Sequence, residues 1–305
     1  MNLRIAYNTN GVANHRFEDA LALIADSGYD GVALTLDVHH LDPYAPDLRG
    51  RATTLARWLR KRNLGLVIET GARFLLDPRQ KHEPTLLSPD QSARAQRIDF
   101  LARAIEVAAI CEAEAVSFWA GVPQPMVAHE QAWDFLLAGI EDVTRRAERE
   151  GVQAALEPEP GMLIETIDDY NRVKVAVPNL RLALDLGHLI VTQDRTPADA
   201  LHETASELGT VTIEDMRRGV HEHVPFGEGD LDLPAALAAL HAIDFRRLVC
   251  VELSRDSHRA HTMVPQALAA LRAVEDIITT KNTKSTKEDK KTRGQEEVKS
   301  GCVQS

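Results

Sequence analysis

Short apolar, β-branched runs alternate with longer amphipathic segments along most of this 305-residue chain. The runs at 3–8, 31–36, 64–69, 115–119, 152–157, 181–185, 210–214 and 247–252 read as strands. Helical spacing fills the intervals, near 17–27, 49–62, 90–112, 130–150, 166–177, 197–208, 233–243 and 262–278. Residues 98–110 show it most plainly, with apolar side chains recurring at i, i+3, i+4 and i+7. Ser88-Pro89-Asp90, Thr166 with Asp169, and Thr196-Pro197 supply the capping signals expected at helix starts.

Eight uninterrupted β–α units predict a (β/α)8 TIM barrel, α/β in class, as a single domain over residues 1–280. An open doubly wound sheet would require a chain reversal and usually a phosphate-binding glycine loop, and no G-x-G-x-x-G follows the first strand. Residues 281–305 lack apolar periodicity and are expected to form a disordered tail. Its last residues, Cys302-Val-Gln-Ser, formally fit a prenylation pattern, but Gln in the second aliphatic position makes a chance match the better reading.

Composition narrows the function classes. The hydrophobic fraction of 44% can fill a barrel core, and the aromatic fraction of 5% argues against a carbohydrate-stacking surface. The net charge is −11, and the basic tail contributes +3, which leaves about −14 on the first 280 residues. So acidic a surface repels phosphate backbones, and no nucleic-acid partner is expected. Three cysteines without C-x-x-C spacing fit reduced thiols, and Cys250 falls inside a strand, as a core residue would. No apolar run approaches the roughly 18 residues of a membrane span. These features together predict a cytoplasmic protein with no membrane partner.

Chemistry in such barrels sits where strands end and βα loops begin. Polar residues collect there: Tyr7-Asn8, then Asp37 with His39 and His40, then Glu69, and then Glu157-Pro158-Glu159. Asp185 with His188 follows the sixth strand, and Glu252 with Arg255 follows the eighth. The loop after the seventh carries Glu214, Asp215, Arg217, Arg218, His221 and His223. One such carboxylate is equally well read as a helix cap or an ion-pair partner. Several converging on one mouth repel, and with histidines interleaved a divalent metal is the economical remedy. The long 69–87 connection, with Arg73, Lys81 and His82, has the length of a lid.

Four segments in this order resemble the xylose isomerase-like TIM-barrel superfamily of sugar isomerases, ketose 3-epimerases, inosose dehydratases and apurinic endonucleases. They are AALEPEPG around Glu157, LALDLGHL with Asp185 and His188, HEHVPFGEGDLDL at 221–233, and VCVELS with Glu252. The resemblance implies Glu157, Asp185 and Glu252 as ligands of Mn, Zn, Mg or Co, with Glu157 and Glu252 also moving a proton on opposite faces of a substrate carbon. It casts His188 as a substrate ligand, and Glu69, His82, Arg218 and Arg255 join it as candidate substrate contacts.

One position departs from the family pattern: the strand-seven histidine is replaced by Thr212, a poor ligand for Zn²⁺ or Mn²⁺. His221 or His223 folding back, or water, would complete the shell. The leading expectation is a metal-dependent isomerase or epimerase of a small polyhydroxylated substrate (a sugar, sugar phosphate or cyclitol), with the basic residues favouring an anionic one. A metallohydrolase using His188, His221 and His223 around a second ion, or a binding barrel without turnover, are the alternatives. A homo-oligomer is compatible with either.

Overall fold

The structure is a computed structural model and describes residues 2–280. The tail expected to be disordered, 281–305, lies outside the described residues. Eight parallel strands close into a barrel: β1 (Arg4–Asn8), β2 (Gly31–Thr35), β3 (Gly65–Glu69), β4 (Val116–Trp119), β5 (Ala154–Glu157), β6 (Arg181–Asp185), β7 (Leu208–Ile213) and, after an excursion, β10 (Leu248–Val251). Around the ring they run β1-β10-β7-β6-β5-β4-β3-β2, so each strand neighbours its predecessor and no edge is left open.

Helices cover the outside: α1 (Phe17–Asp26), α2 (Leu48–Arg62), α3 (Gln91–Cys111), α4 (His129–Arg149), α5 (Ile167–Ala176), α7 (Pro197–Glu203), α8 (Leu233–Ala242) and α9 (Ala260–Ser300, described to residue 280). Asp90 caps α3 by accepting from Ser92 N, and Thr166 and Asp169 form the capping box that the sequence predicts for α5. None of the helices in the described residues is long and apolar enough to cross a membrane.

Two elements depart from the pattern expected of the sequence. A short helix, α6 (Leu186–Thr192), follows β6 directly, so two helices separate β6 from β7 and the second stops at Glu203. The segment after β7, expected to be a loop, is a hairpin of β8 (Asp215–Arg217) and β9 (Val220–Val224). Both are too short for periodicity to register, and their stability comes from docking on the mouth.

Small side chains fill the barrel interior: Ala6, Ala33, Val67, Leu248 and Cys250 form one buried cluster, and Ala115, Ala155 and Ala183 another. Strand side chains alternate, so the residue two further on points the same way. Asn8, Thr35, Glu69, Ser117, Glu157, Asp185, Thr212 and Glu252 therefore form the next layer, at the C-terminal mouth. A bulge shifts the β6–β7 register between Leu182 and Ala183, skips Gly209, and sets Asp185 opposite Thr212. A Cβ at Gly209 would lie 2.9 Å from the Arg181 Cβ, so the bulge needs glycine.

Candidate active site at the barrel mouth

The mouth encloses a cavity of about 360 Å³. That lies at the small end of the roughly 300–1,000 Å³ typical of ligand pockets. Glu157, Asp185, Glu252, Glu69, His82, His188, His221, His223 and Arg255 all line it, as do Arg73 and Lys81. Arg218 does not. It stands exposed on the β8–β9 turn, where its backbone N–H donates to Asp230 Oδ2.

The β6 end shows why D-L-G-H is written as it is. Asp185 caps α6 by accepting from His188 N at 2.9 Å, which sets His188 one turn above it. A Cβ at Gly187 would come within 2.1 Å of Glu214 Oε1, so only glycine lets the helix start here. His188 is 5% exposed, and its Nδ1 lies 3.1 Å from Pro158 O. A carbonyl can only accept, so Nδ1 carries a hydrogen, and Nε2 is the nitrogen left to face the cavity. Nε2 lies 3.7 Å from Glu159 Oε2 and 3.8 Å from Asp185 Oδ2.

Opposite, Glu252 is held by hydrogen bonds. Asn10 Nδ2 donates to Oε1 at 2.7 Å and Asn8 Nδ2 to Oε2 at 3.2 Å. Thr35 Oγ1 lies 2.8 Å from Asn8 Oδ1 and 2.6 Å from Glu69 Oε2, so a belt runs from β10 through β1 and β2 to β3. Glu69 also accepts from Gly71 N at 2.5 Å.

The long connection after β3 is fastened across the mouth. His82 Nδ1 meets Gly71 O at 2.9 Å, and its ring packs edge-on against Trp119. Arg97, fully buried, places its guanidinium 4.2 Å from the Trp119 ring centre and donates from Nη2 to Thr70 O. Burial lowers the Arg97 pKa to about 10.

His221 and His223, two apart on β9, both reach the cavity. His221 Nε2 lies 3.7 Å from Glu159 Oε1, and His223 Nε2 lies 4.0 Å from Glu252 Oε1. Burial brings both down to about 4; for His221 the neighbouring His188 and His223 add to this, and for His223 the opposing pull of Asp185 is outweighed. The G-E-G that follows is architectural. Asp215 accepts from Gly227 N and Leu231 N, a Cβ at Gly229 would strike Asp215 Oδ1, and Glu228 is exposed. Arg255 pairs with Glu222.

Crowded carboxyls set the electrostatics. Burial, then the charges of Glu159 and Asp185, holds Glu157 well above the usual carboxylate range. Burial pushes Glu69 up to about 7, with Glu252 adding to it, and Glu159 up to about 7 despite the pull of His188. Glu252 is raised by burial and by Asp185. Asp185 alone moves down, with His188 pulling against burial. Glu214 is fully buried beside it and is raised well above the usual carboxylate range by burial and by that same aspartate.

These donors fit a divalent cation. Asp185 Oδ2 is buried with no N–H or hydroxyl donor in reach. Ligating atoms of Glu157, Asp185 and His188 lie within 4.8 Å of one another, as do those of Glu159, His188 and His221. Carboxylate oxygens with imidazole suit Mn²⁺, Zn²⁺ or Co²⁺. Sequence reasoning noted Glu159 and Glu214 at strand ends without giving either a role, and passed over Asn10 and Arg97. Glu159 alone carried a signal, being two residues beyond Glu157 and so on its side of the chain.

Comparison with known proteins agrees with this architecture. The chain resembles the solved structures of an L-ribulose 3-epimerase (TM-score 0.74, 19% identity, 92% of this chain and 97% of that one) and of the E. coli 3-keto-D-glucoside 4-epimerase YcjR (0.71, 18%, 89% and 100%). It also resembles the IolI protein with a bound zinc atom (0.71, 19%, 92% and 99%). No curated protein matches it. The family model described as xylose isomerase-like TIM barrel matches residues 21–274, and the chain belongs to that family.

Proposed function

We propose that the protein is a metal-dependent isomerase or epimerase that moves a proton next to the carbonyl of a sugar or cyclitol. The observation that carries this reading is the placement of Glu157 and Glu252. Their strands stand three places apart in the ring of eight, so the two carboxyls flank the cavity, with Asp185 on the arc between them. Resemblance to two sugar epimerases supports the same class.

A C–H beside a carbonyl is a weak acid, and a divalent ion held by Glu157, Asp185 and Glu252 would polarise that carbonyl and stabilise the charge developing on its oxygen. The chain supplies the rest. Glu157 and Glu252 are both raised toward the range in which a carboxyl can take and return a proton near neutral pH. Asn8 and Asn10 fix the Glu252 oxygens, so its approach to the substrate is set before binding. The fastened 70–88 connection forms one wall of the cavity through Gly71, Arg73, Lys81 and His82. Arg73 and Lys81 on that wall favour a substrate with an anionic group.

The test is incorporation of solvent deuterium into L-ribulose and D-allulose by the Mn²⁺-supplemented protein, with Glu157→Gln and Glu252→Gln as controls. Each substitution should slow exchange by roughly 10²–10⁴-fold. Exchange unchanged in both variants contradicts the two-carboxylate reading. The Glu159–His188–His221 cluster favours a second reading, hydrolysis by an activated water between two ions, and two metal ions per chain on elemental analysis would speak for it.

A further inference from the structure

Thr212 occupies the β7 position of the mouth layer, directly across the ladder from Asp185. Its hydroxyl is a poor ligand, so an ion bound between β6 and β10 would lack a nitrogen donor there. The two histidines that could fold back do not meet this need. Among the carboxylates, His223 Nε2 approaches Glu252 only, at 4.0 Å, and His221 Nε2 approaches Glu159 only, at 3.7 Å.

His188 is arranged differently. It is the one residue common to both clusters of ligating atoms. Its Nδ1–H is committed to Pro158 O, which leaves Nε2 as the nitrogen that faces Asp185 and Glu159 and can bind an ion. The separations of 3.7 and 3.8 Å are too long for hydrogen bonds. They are instead close to what ligands of one ion show. Metal–ligand bonds of about 2.0–2.2 Å put neighbouring ligand atoms roughly 3–3.5 Å apart, so a contraction of a few tenths of an ångström completes the shell. The ring needs no rearrangement, since it is buried and its own backbone N–H is tied to Asp185.

We infer that His188 is the nitrogen ligand that replaces the family's strand-seven histidine, binding the ion through Nε2 together with Asp185 and a carboxylate of the Glu157–Glu159 segment. This rests on the metal-dependent reading above and revises its ligand set, with His188 in the place of Glu252. The ion shifts away from β7 toward the β5–β6 side of the mouth. Glu252, both of whose oxygens are already hydrogen-bonded, is thereby released from ligation to act on the substrate. His188 becomes a metal ligand and not the substrate contact that the family resemblance implies.

The experiment uses the full chain stripped with chelator and reloaded with Co²⁺, with X-ray absorption counting imidazole ligands and chelator competition giving affinity. The expected result is one ion with one imidazole in the unmodified protein. His188→Gln should remove that signature and weaken binding at least tenfold, while His221→Gln and His223→Gln leave both unchanged. Thr212→His in the His188→Gln background should restore the imidazole signature. An imidazole count of zero in the unmodified protein overturns the inference whether or not any variant folds. So does a signature that survives His188→Gln or disappears in His221→Gln or His223→Gln. If the unmodified protein takes up no Co²⁺, the metal-dependent function fails with it. If only the His188 assignment fails while Glu157 and Glu252 still govern deuterium exchange, the proposed function stands.

Discussion

The two halves of the barrel mouth solve the same problem in opposite ways. On the β10–β1–β2–β3 side, Glu252 and Glu69 are joined through Asn8, Asn10 and Thr35 into one hydrogen-bonded belt, and each carboxyl finds protein donors. On the β5–β6–β7 side, oxygens of Glu157, Glu159 and Asp185 stand 3.7–3.8 Å from the His188 ring nitrogens, too far for hydrogen bonds, and Asp185 Oδ2 and both oxygens of the buried Glu214 have no hydrogen-bond partner. Buried like charges without donors are costly, and the chain retains them on one side only. The difference teaches that the belt is a fixed wall, while the other half carries the donor set that the proposed cation would join.

The largest effect should come from supplying that cation. Mn²⁺ at about 100 times its dissociation constant should stabilise the stripped protein by roughly 2.7 kcal/mol. Chemical denaturation with and without chelator measures this, and no gain in stability would remove the asymmetry.

Breaking the belt should do less, and do it elsewhere. Thr35→Val deletes the hydroxyl that bridges Asn8 and Glu69 and should cost about 1–3 kcal/mol of stability. Mn²⁺ affinity should stay within a few-fold of the unmodified protein. A large loss of affinity would mean that the halves are not separable.

A smaller effect is in the pH dependence. Burial pushes the folded-state pKa values of Glu69 and Glu159 up to about 7, above the ordinary glutamate value of 4.5. Between those pH values the folded protein binds more protons than the unfolded chain, so stability falls as pH rises through the window. The stripped protein should therefore lose stability from about pH 5 to 8, and Mn²⁺ should flatten the decline. A rise in stability over that window would contradict the account. Smallest of all is Arg218→Ala, which lies outside the cavity and should change stability by no more than about 0.5 kcal/mol and leave KM unaltered.

How much of this was legible in the sequence follows from which contacts are local. The eight strands and the carboxylates at their ends could be read directly, because alternation and strand-end position are properties of short segments. Thr212 could be placed only by family analogy, and the Gly209 bulge that brings it opposite Asp185 is visible only in the ladder. The belt joins residues from β10, β1, β2 and β3, far apart in sequence, so Asn10 and Thr35 gave no sign of their role. Glu214 looked like one more acidic residue after β7, and its burial depends on the bare Cα of Gly187. Conversely, Arg218 looked functional yet faces solvent, and the glycines of the G-E-G that helped carry the family resemblance serve the Asp215-anchored turn.

The most direct test of the central claim is calorimetric titration of Mn²⁺ into the stripped protein and into Asp185→Asn. The account predicts one ion per chain in the former and binding weakened at least tenfold in the latter, with Thr35→Val behaving like the unmodified protein. No uptake, or equal affinity in Asp185→Asn and the unmodified chain, would contradict it.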